Sequence, residues 1–533
     1  MKQLSNSRRN FLKLATASAM ATSVVPAIAQ KAKSVDLKPN QSGPYDLVIE
    51  GGRVIDPETR LDGLLYVGIK GNRIAAISEE PLEGDKTLNA EGYIVAPGFI
   101  DLHAHGQTPT GAWMQAFDGV TTALELESGL LPIGQFYAET EREGRPINFG
   151  AAAAWTYARA AAFHGLDPRP NLGFFQESFS YTEWQNNLAT PEQLEKILDM
   201  VESGLKEGSI GIGINAGYVP AYGRKEYYAL AELAAKYNVP TFTHVRYASV
   251  IEPNSSFEAM GELIGLSAIT GAHMHICHLN SSGGRDALAI VDLIKQAQTQ
   301  GLPVTTEAYP YGAASTAIGA ALFQGEGWEA RWGGDIRFEL EGKELSSAEV
   351  EQLQESEPGT VIVFHFLDPD QSAEDLQNMD AAVLFPGGAI ASDGVPWTNA
   401  TGQFITEDIW PLPDDAFSHP RAAGAYARFI SKYVRERRVI SLMKALAKTS
   451  LFPAQILEKS VPQMLKKGRL QVGGDADIVV FDLGTIQDRA TFVEPVQTSA
   501  GFRHVIVNGV PIIENEQRIG TARPGRSVRR PTT

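Results

Sequence analysis

Apolar residues in this chain come mostly in short runs, and their rhythm differs between the ends and the middle. From Tyr45 to Leu88 the runs are brief and alternating: Asp-Leu-Val-Ile-Glu, Gly-Leu-Leu-Tyr-Val-Gly-Ile and Arg-Ile-Ala-Ala-Ile. Turn residues such as Gly51-Gly52 and Gly71-Asn72 separate them, a pattern that predicts small antiparallel strands. Ala476 to Asp482 and His504 to Gly509 have the same character. Chain ends often lie close together, so residues 44–95 and 462–530 are expected to form one small β-sandwich domain. Between them, strand-like runs over 94–105, 120–127, 148–155, 208–216, 240–246, 273–280, 303–311 and 387–393 alternate with helical patterns. The clearest helical stretches are 191–206, 224–237, 257–269 and 285–299. Eight strands with intervening helices predict an α/β fold, a (β/α)8 TIM barrel over 96–461. Segment 312–386 is too long for a strand-to-helix turn and reads as an insertion between strands seven and eight, a candidate lid.

Length and charge narrow the picture. A chain of 533 residues has room for a large core and more than one domain. A net charge of −17 argues against nucleic acid and anionic membrane as partners. The one cysteine, Cys277, excludes an intramolecular disulfide. The start reads Ser7-Arg8-Arg9-Asn10-Phe11-Leu12-Lys13, then a weakly apolar stretch, then Ala27-Ile28-Ala29. A basic head, an apolar run and a small-x-small site are the parts of an export signal. The paired arginines resemble the twin-arginine type. Residues 1–29 are therefore read as a signal peptide cleaved after Ala29, residues 30–43 as a linker, and the mature protein as periplasmic in a bacterium. No later run approaches the ~20 apolar residues of a membrane span.

The candidate chemistry lies at the predicted C-terminal strand ends, where such barrels carry their sites. Strand one ends in His103 and His105, which share a face at a spacing that suits a divalent metal. Strand five ends in Thr-His244-Val-Arg246, strand six in Cys277-His278, and strand eight in Ser-Asp393-Gly. Strand two carries Glu125 and Glu127 on one face, and buried acids need a partner or a metal. Glu127, nearer the strand end, is preferred as a bridge between two ions. His275 and Cys277 alternate out of phase with His278, so if His278 faces the barrel they are expected to face the helices, Cys277 as a small core residue. Zinc suits imidazole and carboxylate donors, one or two ions per chain, with other divalent metals as substitutes. Asp393 is the expected general base and acid. Arg246 is the candidate fork for a substrate carboxylate, with an ion pair to a glutamate as the alternative. Tyr218 is placed to hydrogen-bond a carbonyl oxygen, with loop packing as the alternative.

These residues carry a resemblance. The chain resembles the amidohydrolase superfamily, and within it the D-aminoacylases (N-acyl-D-amino-acid deacylases). The marks are Pro97-Gly-Phe-Ile-Asp-Leu-His-Ala-His105, Asp118-Gly-Val-Thr-Thr, Tyr309-Pro-Tyr311, Ser392-Asp393-Gly394, His419-Pro-Arg421, Lys467-Gly-Arg-Leu and Asp488-Arg-Ala-Thr-Phe492. The resemblance implies metal ligands at His103, His105, His244, His278 and Asp393, and a substrate contact at Ser315. Two positions depart from it. Ser128 stands where these enzymes carry a cysteine ligand, with Glu127 beside it, and Asn280 stands where a lysine is common. The expected activity is hydrolysis of a linear amide in a small-molecule substrate, an N-acyl-(D-)amino acid or dipeptide-like compound. A cyclic amidase of the hydantoinase or dihydroorotase kind and an exported, non-catalytic binding protein are the competing readings. A homo-oligomer is compatible with a large β/α enzyme. Sequencing of the protein recovered from the periplasm is expected to begin at Gln30; a mature chain that still carries Arg8 and Arg9 would refute the signal.

Overall fold

The computed structural model describes residues 43–532 apart from Gly106 and Glu326, so the signal read over 1–29 lies outside the described residues. The apolar run 94–105 divides at Gly98 between two sheets. Ile94–Pro97 lies antiparallel to Ile478–Phe481, and Phe99–Asp101 begins the barrel. Gly98 donates its N–H to Asp477 O at 2.8 Å, and a Cβ there would stand 2.2 Å from Thr121 Oγ1, so only glycine lets the chain cross so close to its neighbour.

The other barrel strands are Val120–Leu130, Asn148–Ala154, Ile212–Asn215, Pro240–His244, His273–Ile276, Val304–Ala308 and Ala389–Ile390, parallel and adjacent in chain order. The ring closes at its C-terminal rim, where Ala104 bridges Gly394 in parallel and His105 N–H donates to Gly394 O at 2.8 Å. Beneath that bridge the buried Asp101 carboxylate accepts from Ser392 N–H at 3.0 Å and His103 N–H at 3.1 Å, tying strand one to strand eight. Burial pushes the Asp101 carboxyl up to about 6 despite these donors.

Helices form where the pattern predicts them. Pro191–Lys206 begins at a Thr190/Gln193 capping box with proline in its first turn, and it buries Ile197, Val201 and Leu205. Arg224–Tyr237 stops at Asn238, whose φ of 51° ends the helix in the left-handed region. Ser256–Thr270 and Ala287–Thr299 follow, the latter after a short 3-10 turn at 284–286. Within the predicted insertion 312–386, Ala313–Ala317, Val361–His365, Arg337–Leu340 and Lys343–Glu344 make an antiparallel sheet over the barrel mouth. Its last part, Ala373–Val383, is instead a ring helix packed on Ala287–Thr299.

The terminal segments make one nine-stranded sheet in which the two chain ends meet along Ile94–Pro97 and Ile478–Phe481. Strand alternation sends Ile478 and Val480 into a core shared with Leu47, Val67 and Val95, while Val479 and Phe481 pack toward the barrel. The C-terminal stretch then runs beneath the barrel: Val528 N–H donates to Phe149 O at 2.7 Å, and its side chain packs with Leu124 and Ile210.

Lys448 is buried below strand eight, donating to Phe385 O at 2.8 Å and Gly388 O at 2.6 Å. Burial lowers its ammonium from the ordinary 10.5 to about 7. Between those values the unfolded chain binds a proton that the folded chain does not, so stability rises with pH across that window. Urea midpoints measured from pH 6 to pH 10 are expected to climb for the wild type and to climb less for Lys448→Met; equal slopes would contradict this account.

Candidate functional site

At the barrel mouth, strand geometry brings six predicted residues together. His103 and His105 follow strand one, and their Nε2 atoms face each other at 3.0 Å. His244 ends strand five and His278 follows strand six; His244 Nδ1 and His278 Nε2 also lie 3.0 Å apart. Glu127 of strand two sits between the pairs. Its Oε1 lies 2.7 Å from His278 Nε2 and 3.1 Å from His244 Nδ1, and its Oε2 lies 3.4 Å from His103 Nε2 and 3.8 Å from His105 Nε2. Asp393 completes the first pair, with Oδ1 3.4 Å from His103 Nε2 and 3.3 Å from His105 Nε2. Two donor groups result, His103–His105–Glu127 and Glu127–His244–His278.

Glu125 does not share that position. Its Oε1 lies behind His105, 2.9 Å from Nδ1. The difference between the two glutamates is one of depth along the strand, since both are buried on the same face. Asn215, at the end of strand four, donates to Glu127 Oε2 at 3.0 Å and reaches Ser128 Oγ at 3.3 Å, which fixes the central carboxylate from its far side.

The donors fit a divalent cation. Nε2 of His103 and of His105 point at one another while each Nδ1 meets a carboxylate, Glu307 Oε1 at 2.6 Å and Glu125 Oε1 at 2.9 Å. With Nδ1 donating to its carboxylate, each ring can turn an Nε2 lone pair inward, and the surrounding negative charge favours a cation there, a proton or a metal ion. Zinc–nitrogen bonds of ~2.0–2.1 Å place tetrahedral ligand atoms roughly 3.3 Å apart, close to the spacings here. Electrostatics agree. Burial favours neutral rings, yet Asp393, Glu127 and Glu307 outweigh it and hold His103 well above the imidazole range, while His105 rises to about 9 beside Glu125 and Asp393. Burial likewise would raise Glu127, but His103, His278 and His244 draw it well below the carboxylate range. For Asp393, Arg421 and His103 overcome burial and lower it. Arg421 Nη1 stands 3.0 Å from Asp393 Oδ2 and stacks its guanidinium 4.5 Å over Tyr309.

The cluster opens into a pocket with about 880 Å³ of empty space, part of it open to solvent. Leu172, Phe175, Phe179, Tyr218, Trp332, Phe364 and Phe404 wall it; His105, Glu127, His244, His278 and Asp393 form its floor. No lysine or arginine lines it among the described residues. Tyr218 and Ser315 do. The Tyr218 hydroxyl lies 2.6 Å from Thr316 Oγ1, and burial followed by Glu127 raises its pKa, so it stays a donor. Ser315 Oγ donates to Ile362 O at 2.9 Å within the insertion sheet.

Two expectations are corrected. Arg246 does not reach the pocket: Nε and Nη2 grip Glu262 at 3.0 and 2.9 Å, and Nη1 donates to Pro220 O and Tyr222 O at 2.8 Å. Its guanidinium also lies 3.4 Å over the Tyr222 ring. It is the ion pair of the alternative reading. His275 and Cys277 face the barrel axis, not the helices: Cys277 packs with Ile100, Leu124 and Phe242, and His275 lies against Phe242. Their phase relative to His278 misleads because His278 takes φ 34°, which breaks strand alternation. Glu307, Asn215 and the Asp393–Arg421 contact were not anticipated. Glu307, an acid in the buried strand Val304–Ala308, carries the same signal as Glu125, since a buried acid needs a partner or a metal.

Residues 86–287 and 280–513 match the model of the amidohydrolase family. The chain is 30% identical over 517 residues to an N-acyl-D-glutamate deacylase of Alcaligenes xylosoxydans xylosoxydans, covering 91% of this chain and 96% of that protein. It is 26% identical to the D-aminoacylase of the same organism, covering 90% and 97%. Among solved structures, the N-acyl-D-glutamate deacylase of Bordetella bronchiseptica, complexed with zinc and a phosphonate mimic of the tetrahedral intermediate, superposes with a TM-score of 0.72 at 24% identity, over 91% of this chain and all of that one.

Replacing Arg246 by Met removes its ion pair with Glu262, which keeps Arg224 Nε at 3.2 Å as a second partner, so the cost is expected to fall below the roughly 3 kcal/mol of a fully buried pair left broken. Arg246→Met is expected to lower the unfolding free energy from urea titration by about 1–3 kcal/mol; unchanged stability with weakened binding of a carboxylate ligand would restore the fork.

Proposed function

Since the chain belongs to the amidohydrolase family, in its D-aminoacylase branch, we propose that it is a zinc-dependent hydrolase of linear amide bonds, acting on N-acyl amino acids or dipeptide-like amides with an apolar side chain. The observation that carries this reading is the pair of donor groups sharing Glu127 at the floor of an apolar pocket. His103, His105 and Asp393 would hold one ion and His244 and His278 the other, with Glu127 between them. When bound, zinc supplies Lewis acidity, making water a nucleophile at neutral pH and polarising the amide carbonyl.

The chain's own residues do the rest. Asp393 takes the proton of the attacking water and returns it to the leaving nitrogen. Arg421 on Oδ2 keeps that carboxylate ionised and turned toward the floor. Tyr218, protonated and facing the pocket, donates to the carbonyl oxygen as negative charge develops on it. The aromatic walls leave an acidic substrate side chain without a counter-charge, a costly burial. An apolar side chain meets no such cost against these walls. The D configuration is the first to test because the relatives named above act on D-amino-acid derivatives.

Elemental analysis with zinc in excess is expected to find about two ions per chain, fewer in Glu127→Ala, and the wild-type count in Glu125→Ala. In a panel of N-acetyl amino acids, N-acetyl-D-leucine and N-acetyl-D-phenylalanine are expected to turn over faster than N-acetyl-D-glutamate. Asp393→Asn should lower kcat by about 10²–10⁴ with little change in KM. Zinc-loaded protein that hydrolyses no amide in the panel would sink the proposal.

A further inference from the structure

The imidazoles of the floor are not supported alike. Behind His103, Glu307 Oε1 closes on Nδ1 at 2.6 Å, and behind His105, Glu125 Oε1 closes on Nδ1 at 2.9 Å. Both glutamates are buried. Glu307 is itself held from within the barrel: its Oε2 lies 3.4 Å from His275 Nε2, and His275 Nδ1 lies 2.9 Å from Thr305 Oγ1.

Among the described residues, no carboxylate backs the outer nitrogens of the second pair. His278 Nδ1 meets a neutral hydroxyl, Ser282 Oγ, at 2.9 Å. His244 turns Nδ1 inward, with its ring 5.1 Å from that of Tyr218. The residue beside Glu127 is Ser128, a neutral group that Asn215 already contacts. Negative charge is therefore unevenly spread. Asp393, Glu125, Glu307 and one oxygen of Glu127 lie against the first pair, while the second pair touches the other oxygen of Glu127 and feels Asp393 only from further off. A carboxylate accepting the outer N–H of a ligating histidine fixes its tautomer and orientation and strengthens the inner nitrogen as a donor.

We propose that Glu307 and Glu125 are positioning residues that make the His103–His105–Asp393 position the tighter of two zinc positions, so that it fills first and the His244–His278 position empties first. The inference rests on the zinc-hydrolase reading. If the two glutamates merely balance buried charge, removing them changes stability and leaves the order of loading alone.

The test uses the full chain, stripped with a chelator and titrated with zinc alone by calorimetry. In parallel, crystals carrying one equivalent of zinc are imaged at the zinc absorption edge. The expected anomalous peak lies among His103, His105 and Asp393. Glu307→Gln and Glu125→Gln are each expected to weaken the first binding step by roughly 10–100-fold while the second step stays unchanged, and Ser282→Ala is expected to weaken only the second. A retained second step shows that a variant is folded; should Glu307→Gln fail to fold, Glu125→Gln and the wild-type loading order still decide. A first peak among Glu127, His244 and His278, or an unaltered first step in both glutamine variants, overturns the proposal. Absence of zinc binding at either position would instead remove the hydrolase reading beneath it.

Discussion

Five carboxylates, those of Asp101, Glu125, Glu127, Glu307 and Asp393, are buried at one end of a single barrel. Left unpaired, each would cost several kcal/mol, and the architecture of the mouth follows from satisfying them. Asp101 is held by the backbone and side chain of Ser392, and this joins the last strand to the first. Glu125 and Glu307 back two imidazoles, Asp393 leans on Arg421, and Glu127 faces four rings at once. The same pairing that allows the ring to close also aims the inner ring nitrogens at one another.

Two residues of the site itself have left-handed backbones. His278 and Asp393 have φ of 34° and 51°, left-handed values that L residues adopt at a cost of order 1–3 kcal/mol. At both, the chain leaves a strand and turns its side chain back over the barrel mouth. A residue continuing the extended strand would point along the alternation and miss the cluster. Closure by Asp101 and the packing of Tyr426, whose hydroxyl reaches Ile100 O and Ile390 O at 3.2 Å, hold these turns in place.

Much of this was legible from the chain alone. Helix 191–206 announces itself through its periodicity, and the strand-end histidines with Asp393 follow from strand order. Three features were not. The division of 94–105 at Gly98 depends on how closely Thr121 passes, a contact between strands. The facing of His275 and Cys277 depends on the left-handed turn at His278, which no local preference for histidine predicts. The commitment of Arg246 to Glu262 depends on the helix Ser256–Thr270 packing beside strand five, and a sequence separation of sixteen residues gives no sign of it. Local chemistry was readable; geometry set by distant partners was not.

The sheet that joins the chain ends and the tail beneath the barrel also constrain how the molecule is made. A ribosome releases Tyr45–Asp56 and Ile94–Pro97 early, but Ile478–Phe481, against which Ile94–Pro97 pairs, emerges only after the whole barrel. Val528, which seals the barrel from below, emerges later still. Contacts this distant in sequence impose a large loop-closure entropy and fold slowly. During synthesis the apolar edge of Ile94–Pro97 and the barrel floor therefore stay uncovered until the last part of the chain has emerged.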